Sequence, residues 1–284
     1  MQKNVFYRAR SCLAILVVVI ICAGFGGLEQ LFAPKAELWP RWQAHNAASN
    51  AVIDHHAWGE ILKRYIRPGP AGINLFGYGS VTKSDKKKLK NYIATLTKIV
   101  VGEHNRREQR AYWINLYNAL TVNIVLDYYP VKSILDIDIS PGFLADGPWD
   151  KKLVNIEGTP VSLNDIEHRI LRPIWHDSRI HYAVNCASIG CPNLQNKAYT
   201  GANTESLLDL GARQYINSSR GVAIKGDAVV VSKIYNWFQA DFGETEQDVL
   251  RHLLKYARPQ LKGQLQKIGE ISDFTYDWNL NAAR

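Results

Sequence analysis

Apolar residues recur at helical spacing between Ala51 and Tyr65 (Val52, Trp58, Ile61, Leu62, Tyr65) and predict a first helix, stopped by Pro68-Gly69-Pro70. A second is predicted from about Ser84 to Ile99, with Thr82 and Asp85 spaced as a capping box. The third, about Asn105 to Tyr128, is apolar nearly all round. Trp113, Tyr117, Leu120 and Ile124 form one stripe, while Ile114, Leu116, Val122, Val125 and Leu126 cover the rest. A helix of that kind is buried. It nevertheless carries Asn115 and Asn118, whose amides must either bond to neighbouring backbone or line a cavity.

After Pro130 the pattern turns extended. Residues 152–156 and Thr159 to Val161 predict a hairpin about Glu157-Gly158, and residues 222–224 with Ala228 to Val231 predict another about Gly226-Asp227. Between them Ser162, with Asp165 three residues on, opens a short helix. Arg179 to Asn185 alternates as a strand and runs into the loop Cys186-Ala187-Ser188-Ile189-Gly190-Cys191-Pro192. Helices are predicted over about Thr204–Asn217 and from Thr245, with Asp248 as its capping partner, to just before Pro259. The Gly-rich loop Gly72 to Gly79 lacks the Lys and the preceding strand of a phosphate loop and reads as packing punctuation. Asp241-Phe242-Gly243 lacks every companion kinase motif. The fold class is α+β: a single domain with its N-terminal helices packed on a small mixed or antiparallel sheet.

Composition adds compartment. Hydrophobic residues at 46% and charged residues at 21% are globular values and exclude a disordered, fibrous or polytopic membrane chain. Lys3, Arg8 and Arg10 precede an apolar run from Cys12 to Ile21, the pattern of an export signal. Residues 1–27 therefore read as a signal peptide or an uncleaved signal anchor. The second alternative gives a membrane tether through residues 12–27. Residues 28–49 read as a linker and 50–281 as the globular domain. The expected location is periplasmic or extracellular. Without the three cations of residues 1–27, and with no acid lost, the net charge falls from +8 to +5. That excess is spread out, and no nucleic-acid motif accompanies it. The expected partner is a small-molecule or peptide-like ligand, with no nucleic acid and no cofactor.

Outside the export segment only Cys186 and Cys191 remain, with His181 five residues before the first and Glu167-His168 on the preceding helix. Three readings stay open. An oxidising compartment and two remaining cysteines fit a disulfide. A thiol at a strand end beside an imidazole fits a nucleophile: Cys186 attacks, His181 takes its proton and Glu167 orients the ring, with His168 close by. The same four His and Cys side chains contain suitable metal donors, but their spacing matches no standard zinc pattern, so no metal is expected. Asn115, Asn118, Tyr78 and Trp113 are the candidate binding residues.

The motifs themselves resemble one family. Ala111-Tyr112-Trp113-Ile114-Asn115-Leu116-Tyr117-Asn118-Ala119-Leu120-Thr121 and Tyr129-Pro130-Val131-Lys132-Ser133-Ile134 are similar to its first signature. Ser162-Leu163-Asn164-Asp165-Ile166-Glu167-His168, with Leu171-Arg172, resembles its second block. Residues 179–188 with Gly190-Cys191-Pro192 resemble the third, and Tyr276-Asp277-Trp278-Asn279-Leu280-Asn281 the close of a bacterial member. On these residues the chain is identified as a member of the domain-of-unknown-function 547 family. The resemblance implies no defined activity. The family's intracellular plant members bear the same Cys pair, which implies a thiol or a packing role there, since disulfides are rare inside cells. The expectation is a cysteine-dependent hydrolase or acyl transferase acting on a peptide-like or amide substrate. The alternative is a non-catalytic envelope binding or assembly module with a Cys186–Cys191 disulfide.

Overall fold

A computed structural model describes residues 33–142 and 146–283. The expected export segment, residues 1–27, lies outside the described residues, as does the start of the linker. Among the described residues no helix is long and apolar enough to cross a membrane.

Helix α1 (His56–Tyr65) starts later than the apolar pattern suggests, because the Asp54 side chain accepts the His56 N–H at 2.8 Å and turns the chain there. Helix α2 (Lys83–Leu96) is capped by Thr82, whose hydroxyl accepts the Asp85 N–H. Helix α3 (Arg106–Tyr128) is the centre of the molecule. Asn105 caps it by accepting from the Arg107 and Glu108 N–H groups at 3.0 and 3.1 Å. Every residue from Glu108 to Val122 is buried, as an all-round apolar surface requires. The stretch expected as a linker is docked rather than free: Trp42 is 3% exposed and packs edge-on to Trp113.

The chain is α+β, one domain with small sheets. Strand β1 (Ile66–Pro68) pairs antiparallel with β2 (Asn74–Phe76) across the Gly-rich turn, which the pattern marked only as loop. The predicted hairpins are β3 (Val154–Ile156) with β4 (Thr159–Val161), and β5 (Val222–Lys225) with β6 (Ala228–Ser232). Strand β7 (Asp273–Thr275) adds in parallel to β6, so the largest sheet is mixed.

The expected strand over 179–185 is instead a 3-10 helix, Ser178–Tyr182. Asp177 caps it by accepting the Arg179 N–H at 2.9 Å, and the Ala183 N–H reaches Ile180 O at 2.9 Å. The alternation reflects burial of Ile180 and Tyr182 on opposite cores, not a pleat.

Before it come a π-helix, Asp165–Leu171, and α4 (Arg172–Trp175). After it follow α5 (Thr204–Ile216), two four-residue helices α6 (Ile234–Trp237) and α7 (Gln239–Phe242), and α8 (Glu246–Tyr256) with the expected Thr245–Asp248 capping box. Helix α9 (Pro259–Ile268) has no counterpart in the sequence reading, where Pro259 serves only as a stop; it occupies the first turn, where proline needs no N–H donor. One apolar core surrounds α3; a second, around Tyr215, Val229 and Leu253, lies between α5, α8 and the mixed sheet.

Candidate functional site: an aromatic cavity with a buried charge cluster

A cavity of about 600 Å³ opens between the two cores, within the range of small-molecule sites. Its wall contains Glu167, His168, His181, Cys186 and Cys191 together. Local structure explains their convergence. Ser162 and Asp165 cap each other, the Ser162 N–H donating to Oδ2 at 2.9 Å and the Asp165 N–H to Oγ at 3.2 Å. The helix then opens into its wider π form, whose Glu167 carbonyl accepts the Arg172 N–H five residues on. Residues 37–39 pin it from outside, Glu37 N–H to His168 O and Trp39 N–H to Arg169 O, both at 2.9 Å.

Arg172 and Asp241 lie behind the cavity lining and organise the floor residues Glu167, His168 and His181. Arg172 Nε donates to Asp241 Oδ2 at 2.5 Å, and Nη1 donates to Pro34 O at 2.7 Å and to His168 Nδ1 at 2.9 Å. His181 Nε2 bonds the same Asp241 oxygen at 2.6 Å, while Nδ1 stands 3.7 Å from Glu167 Oε1. Phe238 lies parallel to the His181 ring, centroids 4.5 Å apart, with the Arg172 guanidinium over its ring at 4.6 Å.

The protonation states follow from this packing. Burial depresses His181, but its bonds to Asp241 and Glu167 outweigh burial and raise it. Burial pushes Glu167 up, yet His168, His181 and Arg172 hold it at about 2. Asp241 is driven well below the usual carboxylate range against its own burial by His181 and Arg172. Burial lowers His168 to about 4, so its ring is neutral at pH 7. The floor therefore combines two carboxylates, one guanidinium, a His181 ring that holds its proton more tightly than usual, and one neutral imidazole. Sequence reasoning missed both organisers: Asp241 lies 60 residues from His181 and is delivered by a four-residue helix too short to show periodicity.

Much of the remaining wall is aromatic. Trp149 meets Trp278 at 5.9 Å, Trp278 meets Tyr276 at 4.7 Å, and Trp237 meets Tyr276 at 4.9 Å. Residues 276–282 are held there by the cysteine loop: Ile189 N–H donates to Asn279 O and Gly190 N–H to Asp277 O. Cys186 and Cys191 are joined as a disulfide, Cα atoms 6.2 Å apart, with the Tyr276 hydroxyl 3.1 Å from the Cys186 sulfur and 3.3 Å from that of Cys191. A bonded sulfur has no thiolate to offer. Both His181 nitrogens face carboxylates, and the polar neighbours of the Cys186 sulfur are Ser188 and Tyr276. Of the expected Cys186–His181–Glu167 relay, Glu167 stands beside His181 and all three share one cavity, while the described contacts include none between His181 and the Cys186 sulfur.

The four candidate binding residues are not on the cavity wall. Asn115 holds Tyr199 by both its N–H and its carbonyl, at 3.0 and 2.7 Å. Asn118 spans Ala183 O and Asn185 N–H, both at 2.8 Å. Tyr78 donates to Asn281 Oδ1 at 2.9 Å, and Trp113 packs against Trp42 and Tyr112. All four are buried; Asn115, Asn118 and Tyr78 tie the core together through bonds to backbone or to distant segments, whereas Trp113 packs by its ring and its Nε1 has no hydrogen-bond partner among the described residues. Among the described residues no cluster of three or more His, Cys, Asp or Glu is arranged to hold a metal ion.

Fold and site together define an α+β domain with a disulfide-bordered aromatic cavity over a compensated charge cluster. The family model described as "Protein of unknown function, DUF547" matches residues 101–216, and the chain is a DUF547 domain-containing protein. That match is narrower than the 50–281 over which the motifs run. It includes Glu167, His168, Arg172, His181 and both cysteines, whereas Asp241 and the wall residues Trp237, Tyr276 and Trp278 come from beyond it. Comparison with curated proteins and with solved structures gives no match.

Proposed function

We propose that the protein is an exported, non-catalytic binding module whose cavity takes a small molecule with an apolar body. The observation that carries this reading is the cavity itself: about 600 Å³, walled by aromatic rings, with its only sulfurs joined to each other. The disulfide also supports an oxidising, periplasmic or extracellular location. The test uses N-phenyl-1-naphthylamine, a neutral dye that brightens in apolar sites, with the full chain and a Leu135→Trp variant. Leu135 is a half-buried cavity residue, so the larger ring fills space without entering a packed core. Saturable one-to-one binding, lost in the variant, supports the module; absence of saturable binding to the wild type refutes it.

A second reading, thiol-dependent hydrolysis or acyl transfer on an amide, is favoured by one observation. Cys186 lines the same cavity as Glu167, His168 and His181. It requires the reduced form. Intact mass after alkylation, before and after reduction, separates the two readings: a quantitative disulfide in envelope-purified protein retires the resting nucleophile, and one fast-alkylating thiol revives it.

A further inference from the structure

The floor of the cavity has a fixed hydrogen-bonding polarity, and it follows from one contact. Arg172 Nη1 can only donate, so His168 Nδ1, 2.9 Å away, must accept. A neutral imidazole that accepts at Nδ1 carries its proton at Nε2. That N–H finds no protein acceptor among the described residues, and His168 lines the cavity. Its sequence neighbour Glu167 lines the same wall as a buried carboxylate, an acceptor only. The π-helix thus presents one donor and one acceptor from consecutive residues to a cavity also lined by the rings of Trp149, Trp237, Tyr276 and Trp278.

We propose that the cavity recognises a primary carboxamide or lactam edge carried on a flat apolar or aromatic body, with the ligand N–H donating to Glu167 and its carbonyl accepting from His168 Nε2–H. The proposal rests on the cavity-binding reading and names its ligand class. A carboxylic acid is excluded by the Glu167 charge. A plain hydrocarbon leaves the His168 Nε2–H without an acceptor and gives Glu167 no donor beyond His181, the discrimination that buried hydrogen-bonding sites achieve best. An amine satisfies Glu167 but cannot accept from His168. The burial that keeps His168 neutral makes this polarity constant from pH 5 upward.

The experiment is displacement of N-phenyl-1-naphthylamine from the full chain at pH 7 by benzamide, benzoate, toluene and benzylamine. Benzamide is expected to compete at least tenfold better than the other three. Equal competition by all four overturns the amide assignment while leaving the cavity a binding site, and tighter benzoate reverses the assigned polarity. If the dye binds and none of the four displaces it, the ligand class is wrong. Failure of the dye itself to bind is the separate failure of the binding module. Nitrogen-15 spectra of the histidines give a readout independent of any variant. At pH 7 His168 should carry its proton on Nε2, and benzamide should shift that nitrogen; a proton on Nδ1 overturns the proposal.

Discussion

Asp241 is the residue whose loss should be felt most. Its carboxylate receives His181 at 2.6 Å and Arg172 at 2.5 Å, and those side chains are 2% and 4% exposed. Asp241→Asn keeps the shape and removes the charge, leaving the buried Arg172 guanidinium and the His181 ring without the anion they share. Charge-assisted hydrogen bonds contribute about 1.5–3 kcal/mol each, and breaking a buried ion pair costs about 3–5 kcal/mol. With Asp241 itself 19% exposed, the lower part of that range, about 3 kcal/mol, is the expectation, a large share of a typical domain stability. A cycle with His181→Gln isolates the pair and should give a coupling of about 1.5–3 kcal/mol. The sign with pH is fixed by the raised His181 value. Its contribution is complete below the unfolded value near 6.5 and is lost as pH rises through the folded one. Urea unfolding followed by tryptophan fluorescence, from pH 6 upward, measures both. A coupling below about 0.5 kcal/mol at pH 6, or one that grows with pH, refutes the reasoning.

Burial holds His55 at about 4, so the neutral ring stabilises the fold above pH 6.5 and that contribution fades as pH falls toward 4. At pH 5 the loss is about 2 kcal/mol, and His55→Leu should flatten the acid limb by that amount in pH-dependent urea melts. Asn118→Ala removes two buried bonds at 2.8 Å and should cost about 2–4 kcal/mol by chemical denaturation, without altering dye affinity in the protein that stays folded. A Cβ at Gly190 would lie 2.8 and 2.9 Å from the Asp277 backbone, so Gly190→Ala should destabilise by about 1–3 kcal/mol and weaken dye binding as the Tyr276–Trp278 wall shifts. Replacing Cys186 and Cys191 together with serine opens a short loop, worth about 2 kcal/mol in a thermal melt, and should preserve dye binding.

What was legible in the sequence was whatever depends on neighbours a few residues apart. Asn105, Thr82 and Thr245 announce helix starts through side-chain oxygens that reach the next turn, and Gly226 and Gly158 mark hairpins through their left-handed backbone. The clustering of Glu167, His168, His181 and Cys186 about one wall was also legible, because 20 residues of chain contain them. Their roles were not. The Arg179–Asn185 alternation imitates a strand, but no strand is there to pair with it, and Asp177 closes the segment into 3-10 turns. Arg172 reads as one more helical cation until Asp241 arrives from α7, and the aromatic wall comes from positions 237 and 276–278, whose only local signature is that they are rings. Asn115 and Asn118 could be narrowed only to core or cavity, and backbone partners 65 to 84 residues away decide for core.

The hydroxyl that sits over the Cys186–Cys191 bond belongs to Tyr276, 90 residues further along the chain. During synthesis, at about 5–20 residues per second, the cysteine loop precedes its lid by roughly 5–20 s. For that interval the pair is open to whatever thiol chemistry it meets, and afterwards the Tyr276 hydroxyl sits against both sulfurs. The order of emergence gives the pair two chemical lives: exposed on all sides while the chain is being made, and reached only from the cavity side once residues 276–282 have bonded to Ala187, Ile189 and Gly190. Oxidants acting early would find both sulfurs free of that hydroxyl, while a reductant added to the finished protein would reach them through the cavity they line.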